Sequence, residues 1–441
     1  MLLCGGIFLR KITLLFVTFI LIFSTLPISA AEDGAPEIQS TSAIMMQAGT
    51  GRIMYEKDPD AKAYPASTTK IMTGLLAVEN LDPKTELTVS ESAVQIDRDG
   101  SNMGLLKDEV LTVEQLLYGL LVHSANDAAN VLAEAVAGNI PAFVDKMNVR
   151  AAELGMDHTH FVNTHGYHDD EHYTTARDLL KLAVEAMKND LFRQVVATAT
   201  YTIPPTNKYP EERILSNNNS LINTARDHRY LYKGAAGIKT GHTSKAGYCL
   251  VSYAERDGLA YYCVTLHAPI EGGNASFTDT IALFNYGFRG FALKSVTNGS
   301  EIMATRDVKW AAGDEQAILS AAAPLEVLLP VQYDPDKLTQ EITTEAEIVA
   351  PVAKGDILGR VTYYYDGTEL GSADLAATRD VSRSYVKMIG GTAFRLVFNV
   401  WVMVPLGLIV LFLVIRSIVE AQKQRRARER RRQQLRRDFY R

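Results

Sequence analysis

Two rhythms of apolar and polar positions divide this chain. Ile71-Met72-Thr73-Gly74-Leu75-Leu76-Ala77-Val78 is an apolar run that opens just after Pro65-Ala66-Ser67, and it predicts a buried helix. Leu116-Leu117-Tyr118-Gly119-Leu120-Leu121-Val122 predicts another. That pattern breaks at the polar His123-Ser124-Ala125-Asn126 and resumes at Asp127-Ala128-Ala129-Asn130-Val131-Leu132. Thr175-Ala176-Arg177-Asp178 reads as a capping box opening a further helix. Tyr248 to Ala254 and Leu259 to Leu266 read instead as strands around Glu255-Arg256-Asp257-Gly258, and Asp-Gly is a strong hairpin signal.

Beyond about residue 295 the rhythm changes to short strand-like runs. Glu347-Ile348-Val349-Ala350 and Arg360-Val361-Thr362-Tyr363-Tyr364-Tyr365 are examples. Gly355-Asp356, Asp366-Gly367 and Gly371 punctuate them, which predicts a small β-rich module ending near residue 371. Residues 372–395 read as a polar linker. Leu396 to Ile415 is then a 20-residue apolar stretch, and about 20 such residues span a bilayer. Asn399, Pro405 and Gly407 interrupt it mildly, and Pro and Gly are tolerated in transmembrane helices. At the other end, Arg10 and Lys11, the apolar Ile12 to Pro27 and the small Ser29-Ala30-Ala31 form the parts of a signal peptide over residues 1–31, the alternative being an uncleaved anchor.

Charge sharpens this division. The chain carries −6 overall. Residues 416–441 hold ten arginines, one lysine and three acidic residues, a net +8. The intervening residues 31–415 are therefore near −16. The positive-inside rule places the basic tail in the cytoplasm and the rest of the chain outside. An acidic body does not suggest a nucleic-acid partner, and juxtamembrane basic runs ordinarily meet anionic lipid or set topology.

Three motifs carry candidate chemistry: Ser67-Thr68-Thr69-Lys70, Ser124-Ala125-Asn126 and Lys239-Thr240-Gly241. Each alone is weak; Ser-x-x-Lys arises by chance roughly once in a chain this long. Second copies exist at Ser384-Tyr385-Val386-Lys387 and Ser216-Asn217-Asn218. Context separates them: Ser384 lies just before the apolar stretch, and Ser216 sits in an Asn-rich run that reads as a loop. Ser67 opens a buried helix, so a Lys70 amine three residues on shares its face. A serine needs an adjacent base to act as a nucleophile. A lysine can serve if burial or another cation, such as Lys239, depresses its pKa. Ser124 can pass a proton and Asn126 can hold an amide, although both residue types also favour helix N-caps. Lys239 and Thr240 suit a carboxylate, and Gly241 permits close approach of backbone. The backbone N–H groups of Ser67 and His242 are candidates for an oxyanion hole.

In this order, the motifs resemble those of the low-molecular-weight penicillin-binding proteins of the D-alanyl-D-alanine carboxypeptidase family. Ser67 to Lys70, Ser124-Ala125-Asn126-Asp127-Ala128 and Lys239-Thr240-Gly241-His242-Thr243 carry the resemblance, with Thr159 to Gly166 and Thr174 to Asp178 beside them. It runs over about residues 36–290 and more weakly to about 371. It implies an α+β fold: a β-lactamase/DD-peptidase-like catalytic domain (32–292), an antiparallel sheet with helices packed on it, then a small all-β domain (293–371) that holds the catalytic domain away from the membrane. It implies removal of the terminal D-alanine of peptidoglycan stem peptides through an acyl-serine, with no cofactor and no metal. Ser67 would be the nucleophile, Lys70 its base and Ser124 the proton relay. Asn126, Lys239, Thr240, Gly241, His242 and Thr243 would bind substrate, and β-lactams would acylate Ser67. Ala125 stands where many relatives carry glycine. The full C-terminal span departs from the amphipathic anchoring helix of several relatives.

Other readings are weaker. A class A β-lactamase needs a deacylating glutamate in a Glu-x-x-Leu-Asn motif, and none occurs between Asn126 and Lys239. A transpeptidase or endopeptidase would share the motifs, and a non-turnover sensor of muropeptides or β-lactams would share the pocket. His158, His160, His165, His168 and His172 among Asp157, Asp169, Asp170 and Glu171 have the composition of a zinc site, but His-Glu-x-x-His is missing. Cys4 leaves with the leader where cleavage occurs. Cys249 and Cys263 lie on the two hairpin strands, where register decides between a bridge and two buried thiols; two thiols are expected.

Overall fold

The computed structural model describes residues 34–97, 99–271, 273–313, 315–390 and 399–439, so the expected leader lies outside it. The described residues form two compact units, those up to 293 with 328–332, and those of 294–327 with the rest from 333 on.

The first unit is built on a five-stranded sheet ordered β2-β1-β9-β8-β7. Its strands are β1 (Ser42–Gln47), β2 (Ile53–Lys57), β7 (Ala235–Thr243), β8 (Gly247–Arg256) and β9 (Leu259–Ala268), and every pairing is antiparallel. Alternation along a strand sends successive side chains to opposite faces. Ala43 and Met45 of β1 pack on one face with Phe277, Leu283 and Phe284 of a helix introduced below as α7. Ile44 packs on the other face with a larger helical cluster. That cluster surrounds α1 (Lys70–Asn80), whose residues Lys70 to Ala77 are all buried. Around it lie α2 (Val113–Leu121), α3 (Asn126–Ala137), α4 (Ile140–Glu153), α5 (Ala176–Ala186) and α6 (Asp190–Val196), and α7 (Ala275–Gly290) covers the opposite face. Two short ladders complete the unit, β3 (Glu86–Thr88) with β4 (Val110–Thr112), and β5 (Thr200–Ile203) with β6 (Arg213–Ser216).

The expected hairpin is β8–β9. Arg256 pairs with Leu259, leaving a two-residue turn with Asp257 at φ +50° and Gly258 at φ +79°, the left-handed pair of a type I′ turn. This register sets Cys263 opposite Ser252, while Cys249 lies at a register shift. Cys249 packs into the helical core and Cys263 into the α7 core, on opposite faces of the sheet. Both are buried free thiols, and burial pushes the Cys249 thiol up to about 11.

Two local readings need correction. Ser216 is the last residue of β6, opposite Thr200, rather than part of a loop; the strand is only four residues long, too short to show alternation. Thr175 caps α5 by accepting from the Asp178 N–H, but the box is only half formed. The Asp178 carboxylate turns instead to the His158 N–H and the Thr159 hydroxyl.

The second unit is a six-stranded sheet ordered β14-β16-β17-β12-β11-β15. Its strands are β11 (Ile302–Lys309), β12 (Gln316–Ala321), β14 (Leu338–Thr344), β15 (Ile348–Val349), β16 (Ile357–Tyr365) and β17 (Thr368–Ala377). β10 (Phe291–Thr297) and β13 (Leu325–Pro330) pair with each other. Asp366 and Gly367 make a second left-handed two-residue turn, with Tyr365 opposite Thr368. The strand does not stop at Gly371: β17 continues to Ala377, and Val381 still bridges to Val352. Residues 372–383 therefore include sheet where the sequence predicts a linker. The small residues of Gly371-Ser372-Ala373 weaken the apolar alternation on which that prediction rests. Finally, α8 (Val400–Phe439) is one 40-residue helix that joins the apolar stretch to the basic tail. It is long and apolar enough to cross a membrane.

Candidate active site

Ser67 lies on a 3₁₀ turn, Ala66–Thr69, that runs directly into α1. The Thr68 hydroxyl donates to Pro65 O at 2.7 Å and the Thr69 hydroxyl to Ala66 O at 2.8 Å, tying the turn to itself. A hydroxyl has one proton, so the His172 Nε2 that lies 2.9 Å from Thr69 Oγ1 must carry a hydrogen. His172 Nδ1 is then free to accept from the Val162 N–H at 3.3 Å. Burial holds His172 down to about 3, consistent with a neutral ring.

Lys70 is fully buried, and its amine donates to Ser67 Oγ at 2.9 Å and to His165 O at 2.8 Å. Burial pulls its pKa well below that of a free lysine, the Lys239 charge pulls the same way, and Asp127 opposes them. Lys239 is 2% exposed, donates to Thr240 O at 2.9 Å, and is held down to about 7 by burial. The Lys239 charge thus adds to burial in favouring a neutral Lys70.

The stretch read as a metal candidate has a different task. Asn163 Oδ1 accepts the N–H groups of His165 and Gly166, and its amide donates to Tyr167 O. The resulting turn aims His165 O at Lys70. Gly166 sits at φ +86°, and a Cβ there would lie 1.8 Å from Ala66 O, so no other residue fits against the Ser67 turn. His160 Nδ1 contacts Glu171 O and His168 Nε2 contacts Asp170, so these rings are engaged locally. Among the described residues no group of three or more His, Cys, Asp or Glu side chains is arranged to hold a metal ion.

Ser124 joins α2 to α3 and is 3% exposed, with φ +68°. A non-glycine residue there costs about 1–2 kcal/mol and persists only when neighbours hold it. Capping does not explain it: the N-cap of α3 is Ala125, with no side-chain cap bond. Asn126 is the first residue of α3 and lines the cavity. Asp127 anchors the loop in front, accepting the N–H groups of Met103, Leu105 and Ala128.

The third motif lies on β7, with Lys239 opposite Val251 and Gly241 opposite Cys249. A Cβ on Gly241 would lie 2.9 Å from Pro65 O and 3.1 Å from Ser67 N. Glycine is what lets the strand press against the Ser67 turn. His242 follows on the exposed side and packs its ring on Tyr248 at 4.6 Å.

A cavity of about 460 Å³ opens over Ser67, lined also by Asn126, His165, His242 and Thr243. Of the expected site residues, Lys70, Ser124, Lys239, Thr240 and Gly241 are not part of this lining. Sequence reasoning missed Asp99, Tyr167 and Lys245 in the wall. The Tyr167 hydroxyl donates to Asp99 Oδ1 at 3.2 Å, linking two wall segments; no local pattern announces such a through-space pair.

Known proteins resemble this chain in sequence and fold. The family described as D-alanyl-D-alanine carboxypeptidase, peptidase S11, matches residues 29–270, and the C-terminal domain of penicillin-binding protein 5 matches residues 293–383. The D-alanyl-D-alanine carboxypeptidase DacF of Bacillus subtilis is 30% identical over 356 residues, 78% of this chain and 87% of that one. The crystal structure of penicillin-binding protein 5 from Haemophilus influenzae superposes with a TM-score of 0.63 at 27% identity, covering 79% of this chain and 99% of that one. The Streptomyces K15 DD-transpeptidase superposes with a TM-score of 0.53 at 35% identity, over 58% of this chain and 98% of its own. This chain belongs to the D-alanyl-D-alanine carboxypeptidase family, peptidase S11.

Proposed function

We propose that this chain is a serine-type D-alanyl-D-alanine carboxypeptidase acting on peptidoglycan stem peptides through an acyl-Ser67 intermediate. The observation that carries this reading is the 2.9 Å contact between Ser67 Oγ and the amine of a fully buried Lys70. A neutral Lys70 takes the Ser67 proton as Oγ attacks the carbonyl of the penultimate D-alanine. The N–H groups of Ser67 and His242, brought close by Gly241, stabilise the oxyanion. Ser124 returns the proton to the departing amine, and D-alanine leaves. Lys70 then takes a proton from water, which attacks the ester and frees Ser67. Asn126 and Thr243 hold the substrate amide backbone, and Thr240 with the Lys239 charge favours its terminal carboxylate. β-Lactams acylate the same Ser67.

The apolar part of α8 spans the plasma membrane, with the basic tail in the cytoplasm and both folded units outside, as the positive-inside rule directs. A second reading, transfer of the acyl group to an amine acceptor, is favoured by the likeness to a DD-transpeptidase. The deciding assay is release of D-alanine from a peptide ending in D-Ala-D-Ala, beside Ser67→Ala and penicillin-treated samples and with added acceptor amine. Release lost in both controls supports hydrolysis at Ser67; a cross-linked product in preference to release supports transfer; no release and no penicillin adduct overturns the site.

A further inference from the structure

The second Ser-x-Asn tripeptide, Ser216-Asn217-Asn218, has no place in the chemistry above, yet it bonds the residues just before the first. The Asn218 N–H donates to Val122 O at 3.3 Å, and its side-chain amide donates to His123 O at 3.2 Å. Both acceptors belong to the residues immediately before Ser124. The His123 carbonyl shares a peptide plane with the Ser124 N–H, and the φ of Ser124 is the rotation of that plane. Fixing this carbonyl therefore fixes the left-handed conformation at φ +68° against relaxation. The following peptides are held from elsewhere: Ala125 N–H donates to Gly119 O at 2.9 Å and Asn126 N–H to Ser101 O at 2.8 Å. Asn218 completes the clamp from the preceding side.

The segment bearing Asn218 is stiff for its own reasons. Asn217, Asn219 and Asn223 are buried. The Asn217 amide donates to Thr198 O at 2.8 Å, its oxygen accepts the Asn219 N–H at 2.9 Å, and the Asn223 amide donates to Asn217 O at 2.8 Å. Arg226 donates to Asn218 Oδ1 at 2.6 Å, which orients the amide with its nitrogen toward His123 O.

We propose that Asn218 is a positioning residue for Ser124, keeping its hydroxyl where it can return the proton to the leaving nitrogen. The proposal rests on the relay role given to Ser124 above. Its test is a double-mutant cycle in the full-length protein with Asn218→Ala, Ser124→Ala and the pair. Two readouts are taken: D-alanine release, and the rate at which a fluorescent penicillin acylates Ser67. Asn218→Ala is expected to lower both rates about 10-fold with KM changed less than about 2-fold, and to change neither rate by more than about 2-fold once Ser124 is alanine. Asn218→Asp, which keeps the size and removes the donor, is expected to follow the same pattern. Unchanged rates in Asn218→Ala, or an equal loss in both backgrounds, overturn the proposal. A wild-type protein that takes up penicillin but releases no D-alanine would defeat the carboxypeptidase reading alone, and the acylation cycle would still decide the role of Asn218.

Discussion

The two flanks of Ser67 are stabilised in opposite ways. On one flank Lys70 is set by burial: it opens an apolar helix, sits three residues from its partner, and loses its solvation to the core. On the other flank Ser124 is set by borrowed hydrogen bonds, in a backbone conformation that its own residue type disfavours. A flank built from burial is robust in position but tuned in charge. A flank built from a clamped loop is fixed in charge but vulnerable in position. Substitutions and pH should therefore strike the two sides differently.

The largest effect is expected at Lys70. Lys70→Ala should lower D-alanine release at least about 10³-fold, within the range set by loss of a positioned base, while the protein still folds, because the burial that depresses the Lys70 pKa no longer opposes a charge there, even as His165 O loses its donor. Retained turnover would break the assignment of the base. Gly241→Ala comes next. Its Cβ would meet Pro65 O and Ser67 N, so β7 must retreat from the turn. A loss of about 10²-fold in penicillin acylation, comparable to losing one oxyanion donor, is expected with a modest fall in Tm. Ser124→Ala should cost about 10²-fold on a peptide substrate and less on a thioester, whose leaving group needs no proton. Equal losses on both substrates would contradict a relay.

The charge-tuned flank should respond to pH. On the proposed mechanism the reactive form has a neutral Lys70, and burial places its titration well below the ordinary lysine range, so acylation should rise with pH as that proton is lost. Stability follows the same sign. An unfolded lysine titrates near 10.4 and Lys239 is held near 7. The unfolded chain thus binds more protons between those values, and stability increases with pH across that window. His165 and His172, both held near 3 by burial, repeat the pattern lower down: stability should fall as pH drops from about 6.5 toward 3. Thermal melts across pH check both limbs. The smallest effect is expected at Cys249 and Cys263. Cys263→Ser should leave the pH profile of acylation unchanged, because the thiol lies on the α7 face of the sheet.

Much of the fold was legible because it rests on local rules. The Asp257-Gly258 hairpin, the helix opened by Ser67, and the apolar helix α8 follow from turn chemistry and periodicity alone. What escaped the sequence acts through space. Nothing in Asn163 to Gly166 announces that a backbone carbonyl there will hold Lys70. Nothing in Ser216 to Asn218 announces that the Asn218 amide will donate to the His123 carbonyl beside Ser124. The extension of β17 past Gly371 was hidden because small residues blur alternation. Serine and asparagine spacing located the chemistry; the partners that strain it into shape lie some 90 residues away.

The continuity of α8 sets a length scale for the cell. From Arg416 to Phe439 the helix runs on beyond the apolar part, about 35 Å at 1.5 Å per residue. Lipid charge is screened within about 8 Å in physiological salt. If the apolar part spans a bilayer as proposed, with its axis along the membrane normal, the first turn or two can lean on headgroups, while Arg425 to Arg436 reach beyond the screening length as one continuous cationic helix.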